Sequence, residues 1–506
     1  MSQDHQKCTA SPTSDKHDVE KVVPSPSSDG TQERPYSIYT PAERWFIVVI
    51  ASVAALFSPL AAMTYMPAIP VIAADFHKSV ELINLTVTVY MVFQGISPVF
   101  WGTLADYVGR RPIFLSCMLV LAVACIGLAS VPTSDYWLLL VLRCVQAAGS
   151  ASTIALGAGV VGDIATRAER GGFFGLFFIG PLLGPTFGPV IGGALTPTLG
   201  WRWIFWIFVI ASALCFIALS AFFPDTLRQL VGDGSVLPSR FYRPLVPLVG
   251  HGRRGMTTER PPRVPFVNPL RILTYPDVLA LLLFNAVQYA LFYAIIATIS
   301  SIFQSTYSFL NETEIGLCFL ASGFGTTIGG YVIGKILDRD CRLLKEKLAL
   351  ERMITTDTPG LREAVTHEEN FPIEKARLKT IPIQLLICVT CCAGYGWCLH
   401  QKVNIAVPLV LQFVFCFSVT AILNTIQTLL VDLLPAHGSS VTACDNLVRC
   451  TFGAVCVSVI DLMLNDVGVG WTYTILALIS LCTSPMIWLI VRLGPRSRAK
   501  RRARNS

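Results

Sequence analysis

Residues 102–112 read Gly-Thr-Leu-Ala-Asp-Tyr-Val-Gly-Arg-Arg-Pro and lie between two apolar runs, 83–104 and 112–131. A bilayer core about 30 Å thick takes about twenty apolar residues per helix, so each run is long enough to cross it. The stretch between them is then a tight turn joining two membrane helices. Gly102 and Gly109 allow close backbone approach, and Arg110 and Arg111 mark the cytoplasmic side. Neither requirement accounts for Asp106, at a helix end, which calls for a cationic or helix-N-terminal partner.

The rest of the chain has the same character. Of its 506 residues 53% are hydrophobic and 14% charged, and the mean hydropathy is +0.59. Soluble domains carry charge at about a quarter of positions, so an ordinary soluble enzyme is excluded. The net charge of +7 sits in loops flanking apolar runs, where membrane topology explains it, and no nucleic-acid partner is expected. All but two of the sixteen cysteines, Cys8 and Cys341, fall in or beside apolar segments, where cysteine acts as a small hydrophobe. Cys388, Cys391 and Cys392 include one CxxC spacing without a His or carboxylate beside it, so no metal site is expected.

Apolar runs place spans at 45–68, 83–104, 112–131, 137–161, 172–195 and 203–223, then at 277–304, 314–337, 381–400, 403–431, 438–463 and 471–493. The expected fold is an all-α integral membrane protein with twelve transmembrane helices in two pseudo-symmetric six-helix bundles, 41–223 and 277–493. The lipid bilayer is its main partner, and it is expected to be a monomer. Residues 1–40 are too polar to fold and lack the apolar segment of a cleaved signal peptide. A central loop, 224–276, and an insert, 338–380, separate spans. Arg342, Lys345, Glu346, Lys347, Glu351 and Arg352 pattern the insert as a short surface helix. Basic residues cluster on one side of the twelve-span arrangement, including the tail 494–506, so both termini are expected in the cytoplasm. Asn311, Glu312 and Thr313 form a sequon on the other side, a glycosylation candidate.

Polar groups inside the spans are the site candidates, because lipid does not tolerate them. Arg143 in span four costs about 2.5 to 3.5 kcal/mol at a helix centre. It shares a face with Ala147 and Ser150, near Gln146, and either faces a cavity or snorkels to the headgroups. Gln94 lies in span two, and Asn285, Gln288, Tyr289 and Tyr293 form a stripe on span seven. Asn424 and Gln427 share a face of span ten, while Asp445 and Arg449 stand four apart in span eleven and are expected to pair. Span five carries Gly180, Gly184, Gly188 and Gly192, each followed by Pro181, Pro185, Pro189 or another glycine. The glycines make a flat packing stripe, and each proline deletes a backbone bond. Gly325 and Gly329 repeat the spacing in span eight, which ends on Gly334, Lys335, Ile336, Leu337, Asp338 and Arg339, a degenerate second copy of the turn after span two. Gly329 to Lys335 also fits GxxxxGK, but Ile336 stands where a phosphate loop needs Ser or Thr.

The 102–112 turn resembles the cytoplasmic signature of the major facilitator superfamily. Together with Arg143, Gln146 and Gly149, the run GPLLGPTFGPVIGG at 180–193, the WRWIFW run at 201–206 and the phrase DNLVRC at 445–450, it is similar to the fungal twelve-span drug:proton antiporter family. Within that family it is similar to the branch of quinidine-resistance proteins and organic-acid exporters, and the likeness covers about residues 38–493. It implies a plasma-membrane exporter of a small organic molecule (a drug, a secondary metabolite or an organic acid), driven by a proton gradient without a bound cofactor, through alternating access of two bundles. It implies that Asp106, Arg110, Arg111, Asp163 and Arg170 form a cytoplasmic charge network, with residues 438–441 as a further partner. Arg143 matches a coupling arginine and the span-five series an antiporter stripe. Span one lacks the acidic residue some relatives carry there, so the proton carrier is unassigned, with Asp445 the buried candidate.

Two other readings compete. A non-transporting receptor or scaffold of the same fold would have enlarged tails, and these are short. A membrane enzyme would need a GxSxG, an HExxH or a usable pair of carboxylates in a span, and none is found. Arg143 and Arg449 suit a carboxylate substrate, Tyr289, Phe292 and Tyr293 a lipophilic one.

Overall fold

A computed structural model of the chain describes residues 37–165, 169–236, 242–246, 269–355, 373–434 and 438–505. Among the described residues all regular structure is helical. Twelve helices are long and apolar enough to cross a membrane: Pro41–Asp75, Val80–Val108, Arg110–Ser130, Tyr136–Ile164, Gly172–Leu199, Arg202–Phe222, Pro276–Thr306, Glu312–Leu344, Ile373–His400, Ala406–Leu433, Val441–Val467 and Val469–Arg492. They are numbered span one to span twelve here. Twelve crossings bring Pro41 and Arg492 to the same side, called the basic face because Arg110, Arg111, Arg228, Lys335, Arg339 and Arg377 also lie there. The other side is the far face.

The pairing of spans repeats. Span one packs on five, two on four and three on six; seven packs on eleven, eight on ten and nine on twelve. Adding six to each number of the first set gives the second, which is the duplication expected from the repeated motifs. Two seams join the halves, span five on span eight and span two on span eleven, and these are also symmetry mates.

Span five shows how glycine and proline divide the labour. Its glycine stripe lies on span one: a Cβ at Gly184 would come within 2.7 Å of Pro59 Cγ and 2.8 Å of the Leu60 nitrogen, and one at Gly188 within 3.0 Å of Met63 Cβ. Prolines at 181, 185, 189 and 197 sit inside the helix, and each leaves the carbonyl four residues earlier without its helical donor. Ser52 of span one donates its hydroxyl to the Phe177 carbonyl at 2.8 Å, the group that Pro181 frees. Thr313 of span eight donates to the Gly193 carbonyl at 3.2 Å, the group that Pro197 frees. The same device recurs in span two, where Pro98 frees the Gln94 carbonyl and Asn446 of span eleven donates to it at 2.8 Å. Neighbouring helices thus supply what proline removes, the condition for proline inside a bilayer helix.

Several elements differ from expectation. Span eight does not give way to a separate surface helix; one continuous helix runs Glu312–Thr355, because the polar stretch after Leu337 is rich in Leu, Lys, Glu and Arg, all good helix formers. The last helix likewise continues to Asn505, into the basic tail. The central connector contains a short helix, Arg228–Val231. Residues 1–36 and 356–372 lie outside the described residues.

Ser52→Ala leaves the Phe177 carbonyl unpaired and should lower stability by about 1 kcal/mol, read as a lower melting temperature of the detergent-solubilised protein. Adding Pro181→Ala, which restores a helical donor to that carbonyl, should recover the loss; a double variant as unstable as Ser52→Ala alone would show that the hydroxyl acts otherwise.

Candidate functional site

Arg143 projects from span four into the centre of the first half and is wholly buried, so it does not snorkel. Tyr65 of span one and Tyr90 of span two hold its guanidinium between their rings, at 4.1 and 4.4 Å to the centroids. Each such cation–π contact contributes about 0.5 to 2 kcal/mol when desolvated, part of what offsets burial. Nη1 donates to Gln146 Oε1 at 2.5 Å, and Gln146 donates on to Cys125 Sγ. Nε and Nη2 are buried without a hydrogen-bond partner. A buried guanidinium with two open donor nitrogens and aromatic walls leaves N–H groups of the kind that bond anionic groups.

The second half places a complementary cluster on spans seven and eleven. Asp445 is buried; it accepts a hydrogen bond from Asn285 Nδ2 at 2.8 Å and lies 3.9 Å from Arg449 Nη1. Arg449 donates to Asn446 Oδ1 at 3.0 Å and lies over the Tyr289 ring at 5.0 Å. Tyr289 contacts Tyr293, with centroids 4.8 Å apart, and Tyr293 lies within electrostatic reach of Tyr90. Aromatic side chains therefore run from Arg143 across the seam to Arg449.

The other candidates divide. Gln94 offers its backbone carbonyl to Asn446, while its Oε1 is buried without a partner. Gln288 turns to span twelve, accepting from Ser480 at 2.8 Å, so it links helices instead of joining the Tyr289 stripe. Gln427 donates to Thr442 of span eleven at 2.9 Å. Asn424 abuts Gly330 of span eight, its Nδ2 being 3.1 Å from where a Cβ would stand. Asn311 is exposed at the start of span eight, exchanging hydrogen bonds with Glu314.

The seams are bonded from the far face inward. Span two meets span eleven through Asn84–Asp461, Thr88–Ser458 and Glu81–Asn465. Span five meets span eight through Thr186–Thr327 and Thr313–Gly193. Ser300 of span seven bonds the Met66 carbonyl of span one. On the basic-face stretches of the same four helices, Gly102, Gly175 and Gly334 have open space where a Cβ would stand. The described hydrogen bonds between the halves lie from the far face to mid-span, where Asn446 meets the Gln94 carbonyl.

At the basic face the 102–112 turn is pinned from within its own half. Arg110 pairs with Asp106 at 2.8 Å and with Asp163 at 3.1 Å. Gly109 has φ +122°, and a Cβ there would overlap the Asp225 carboxylate. Asp225 accepts from the backbone N–H groups of Arg110 at 3.2 Å, Arg111 at 3.3 Å and Leu227 at 3.0 Å. Burial raises its carboxyl above the usual carboxylate range, and these three donors pull the other way. Arg228 donates to the Asp163 carbonyl at 2.8 Å.

The sequence profile of the Major Facilitator Superfamily matches residues 51–457. The chain belongs to that superfamily. Within the superfamily it is 33% identical over 508 residues to Citrate exporter 1 of Aspergillus niger, covering 97% of this chain and 94% of that one. It is 33% identical over 479 residues to MFS antiporter QDR2 of Candida albicans, covering 93% and 92%. Among solved structures, the D-xylose-proton symporter superposes with a TM-score of 0.63 at 11% identity over 88% of this chain and 97% of that chain. The chain is a membrane transporter and not an enzyme.

Set against the superfamily signature, the network takes in Asp106, Arg110 and Asp163, together with the backbone of Arg111. The side chains of Arg170 and residues 438–440 lie outside the described residues. Asp225, Thr226 and Arg228 were not singled out from sequence, although the PDTLR run, polar and charged, directly follows an apolar span. Gln412 was also missed; it donates to Ser322 of span eight at 2.5 Å. Gly109→Ala should be far more damaging than Gly102→Ala, whose Cβ meets open space. The first meets both a disfavoured φ and the Asp225 carboxylate and should cost about 1 to 3 kcal/mol, seen as reduced folded yield and melting temperature.

Proposed function

We propose that this chain exports a small organic acid across the plasma membrane in exchange for protons, with the basic face and both termini in the cytoplasm. Arg143 carries the reading. A wholly buried guanidinium, held between two tyrosine rings with two unused donors, calls for an anion, and among the described residues no carboxylate forms an ion pair with it. The name of Citrate exporter 1 supports an acid substrate, and that of MFS antiporter QDR2 supports exchange. The excess of Lys and Arg on the basic face supports its placement inside. The inter-half hydrogen bonds near the far face support reading the structure as the inward-open member of an alternating-access cycle, the state that loads substrate from the cytoplasm. Arg449, beside Tyr289 and Asp445, lies across the seam as the second cation that a di- or tricarboxylate would meet. Asp445 fits a proton-linked role because it shares Arg449 with the substrate: a proton on Asp445 would free the guanidinium for the substrate anion.

The test is gradient-driven transport in proteoliposomes, using citrate and succinate as acid probes and quinidine as a lipophilic cationic one. Citrate or succinate flux should depend on an imposed pH gradient. Arg143→Ala should cut it by at least about tenfold, the value of a charge-assisted hydrogen bond, and Arg143→Lys should recover only part, because an ammonium lacks the planar fork. Quinidine flux with no acid flux, or acid flux within about twofold of normal in Arg143→Ala, would overturn the assignment.

A further inference from the structure

One buried carboxylate plays no part in that scheme. Asp461 of span eleven and Asn84 of span two are 8% and 1% exposed, close inside the far face, and their side chains meet across the seam between the halves. Asn84 Nδ2 donates to Asp461 Oδ2 at 2.5 Å. The other polar atom of the amide, Asn84 Oδ1, is buried with no hydrogen-bond partner. An ionised carboxylate only accepts, so it can never satisfy that oxygen; a protonated one has a hydroxyl to give.

We propose that Asn84 and Asp461 form a proton-binding site that latches the far face shut. A proton taken from the far-side water onto the Asp461 carboxylate gives a neutral acid, whose O–H donates to Asn84 Oδ1 while Asn84 Nδ2–H donates back. Acid and amide are then paired in both directions. Closing the seam strips water from this carboxyl group, and a neutral acid is removed from water at lower cost than an anion. When the seam opens, the pair separates and the proton returns to the water from which it came. Low pH on the far side therefore favours the state seen here, with Asn84 and Asp461 in contact across the closed far face.

Among the described residues no cation lies against this site. From span two, Glu81 accepts from Asn465 at 3.0 Å and lies within electrostatic reach of Asp461, so the two acids disfavour each other as anions. From span twelve, Tyr473 is within reach of Asp461 and is hydrogen-bonded to Thr298. The acidic residues of spans seven and ten, Asp277 and Asp432, lie at the basic-face ends of those helices. Asp466, further along span eleven, is exposed.

The latch builds on alternating access but not on the identity of the cargo, so its test uses no substrate. Thr88 Oγ1 and Ser458 Oγ are 2.9 Å apart, one turn from the pair. The full chain carrying Thr88→Cys and Ser458→Cys, with a protease site in the connector between Val246 and Pro269, reports closure as halves that stay crosslinked after cleavage. Crosslinking in proteoliposomes should rise at least about threefold between about pH 8 and about pH 5 relative to the same chain carrying Asp461→Asn. That substitution keeps an amide pair, cannot titrate, and cancels the pH dependence of the thiol chemistry. Glu81→Gln should leave the rise in place. As a second readout, infrared difference spectra of the chain without added cysteines should show a protonated-carboxyl band at low pH that is absent with Asp461→Asn. An equal pH response with and without Asp461, a response abolished by Glu81→Gln instead, or no carboxyl band from Asp461 would overturn the proposal. Failure of citrate or succinate transport would leave these readouts unaffected.

Discussion

A bilayer offers no hydrogen bonds, so every polar group carried into it must find its partner in the protein. Most features of this chain follow from that constraint. Arg143 is sheathed by two tyrosines and bonded to Gln146; Asp445 has Asn285 and Arg449; Gln288 has Ser480. The constraint reaches the backbone as well. Carbonyls freed by Pro98, Pro181 and Pro197 are met by Asn446, Ser52 and Thr313, and two of those three donors come from the opposite half. Part of what holds the halves together is therefore the repair of bonds that proline broke.

The contacts within and between the halves set how the molecule can change shape. Within each half, glycines bring helix backbones into close contact that admits no extra carbon, as between spans one and five, and dense packing of this kind moves as a body. Between the halves, span five meets span eight just as closely, a Cβ at Gly323 falling 2.3 Å from Thr186 Cα and one at Gly316 2.8 Å from the Pro189 carbonyl oxygen, and beside these contacts run hydrogen bonds among small polar side chains, such as Thr88 with Ser458 and Thr186 with Thr327. Each is worth about 1 kcal/mol or less in a membrane, so they can be exchanged for water in the opposite state. The basic-face network draws on the first bundle and the connector that follows it: Asp106, Arg110 and Asp163 belong to the bundle and Asp225 to the connector, and together they fix the turn between spans two and three.

The architecture was legible because hydropathy reports burial in lipid directly, and twelve apolar runs have few alternative explanations. Helix ends were less legible. Lys and Glu after Leu337 read as a boundary by polarity, yet the same residues prolong a helix into water, and span eight continues to Thr355. Within the site, Arg143, Asp445 and Arg449 stood out because charge inside a span is costly. Partner choice did not, since Gln288 and Tyr289 are neighbours in sequence but face different helices. Asn84 and Asp461 were not singled out from sequence, since polar residues near span ends are ordinary, and only the meeting of spans two and eleven shows that they are buried together. Asp225 was hidden for a related reason: its partners are main-chain N–H groups, which leave no trace in side-chain identity.

The long eighth helix gives the second half a rigid arm. At about 1.5 Å per residue its 44 residues form a rod about 66 Å long, anchored in the seam by Thr313 and Thr327 near its far-face half. A tilt of about 10° about Thr327 would sweep the tip at Thr355 by about 7 Å, whereas the seam itself would shift by only a fraction of that. The sequence that leaves the membrane as Lys, Glu and Leu thereby converts a small rotation among packed helices into a larger excursion of the helix tip in the aqueous phase.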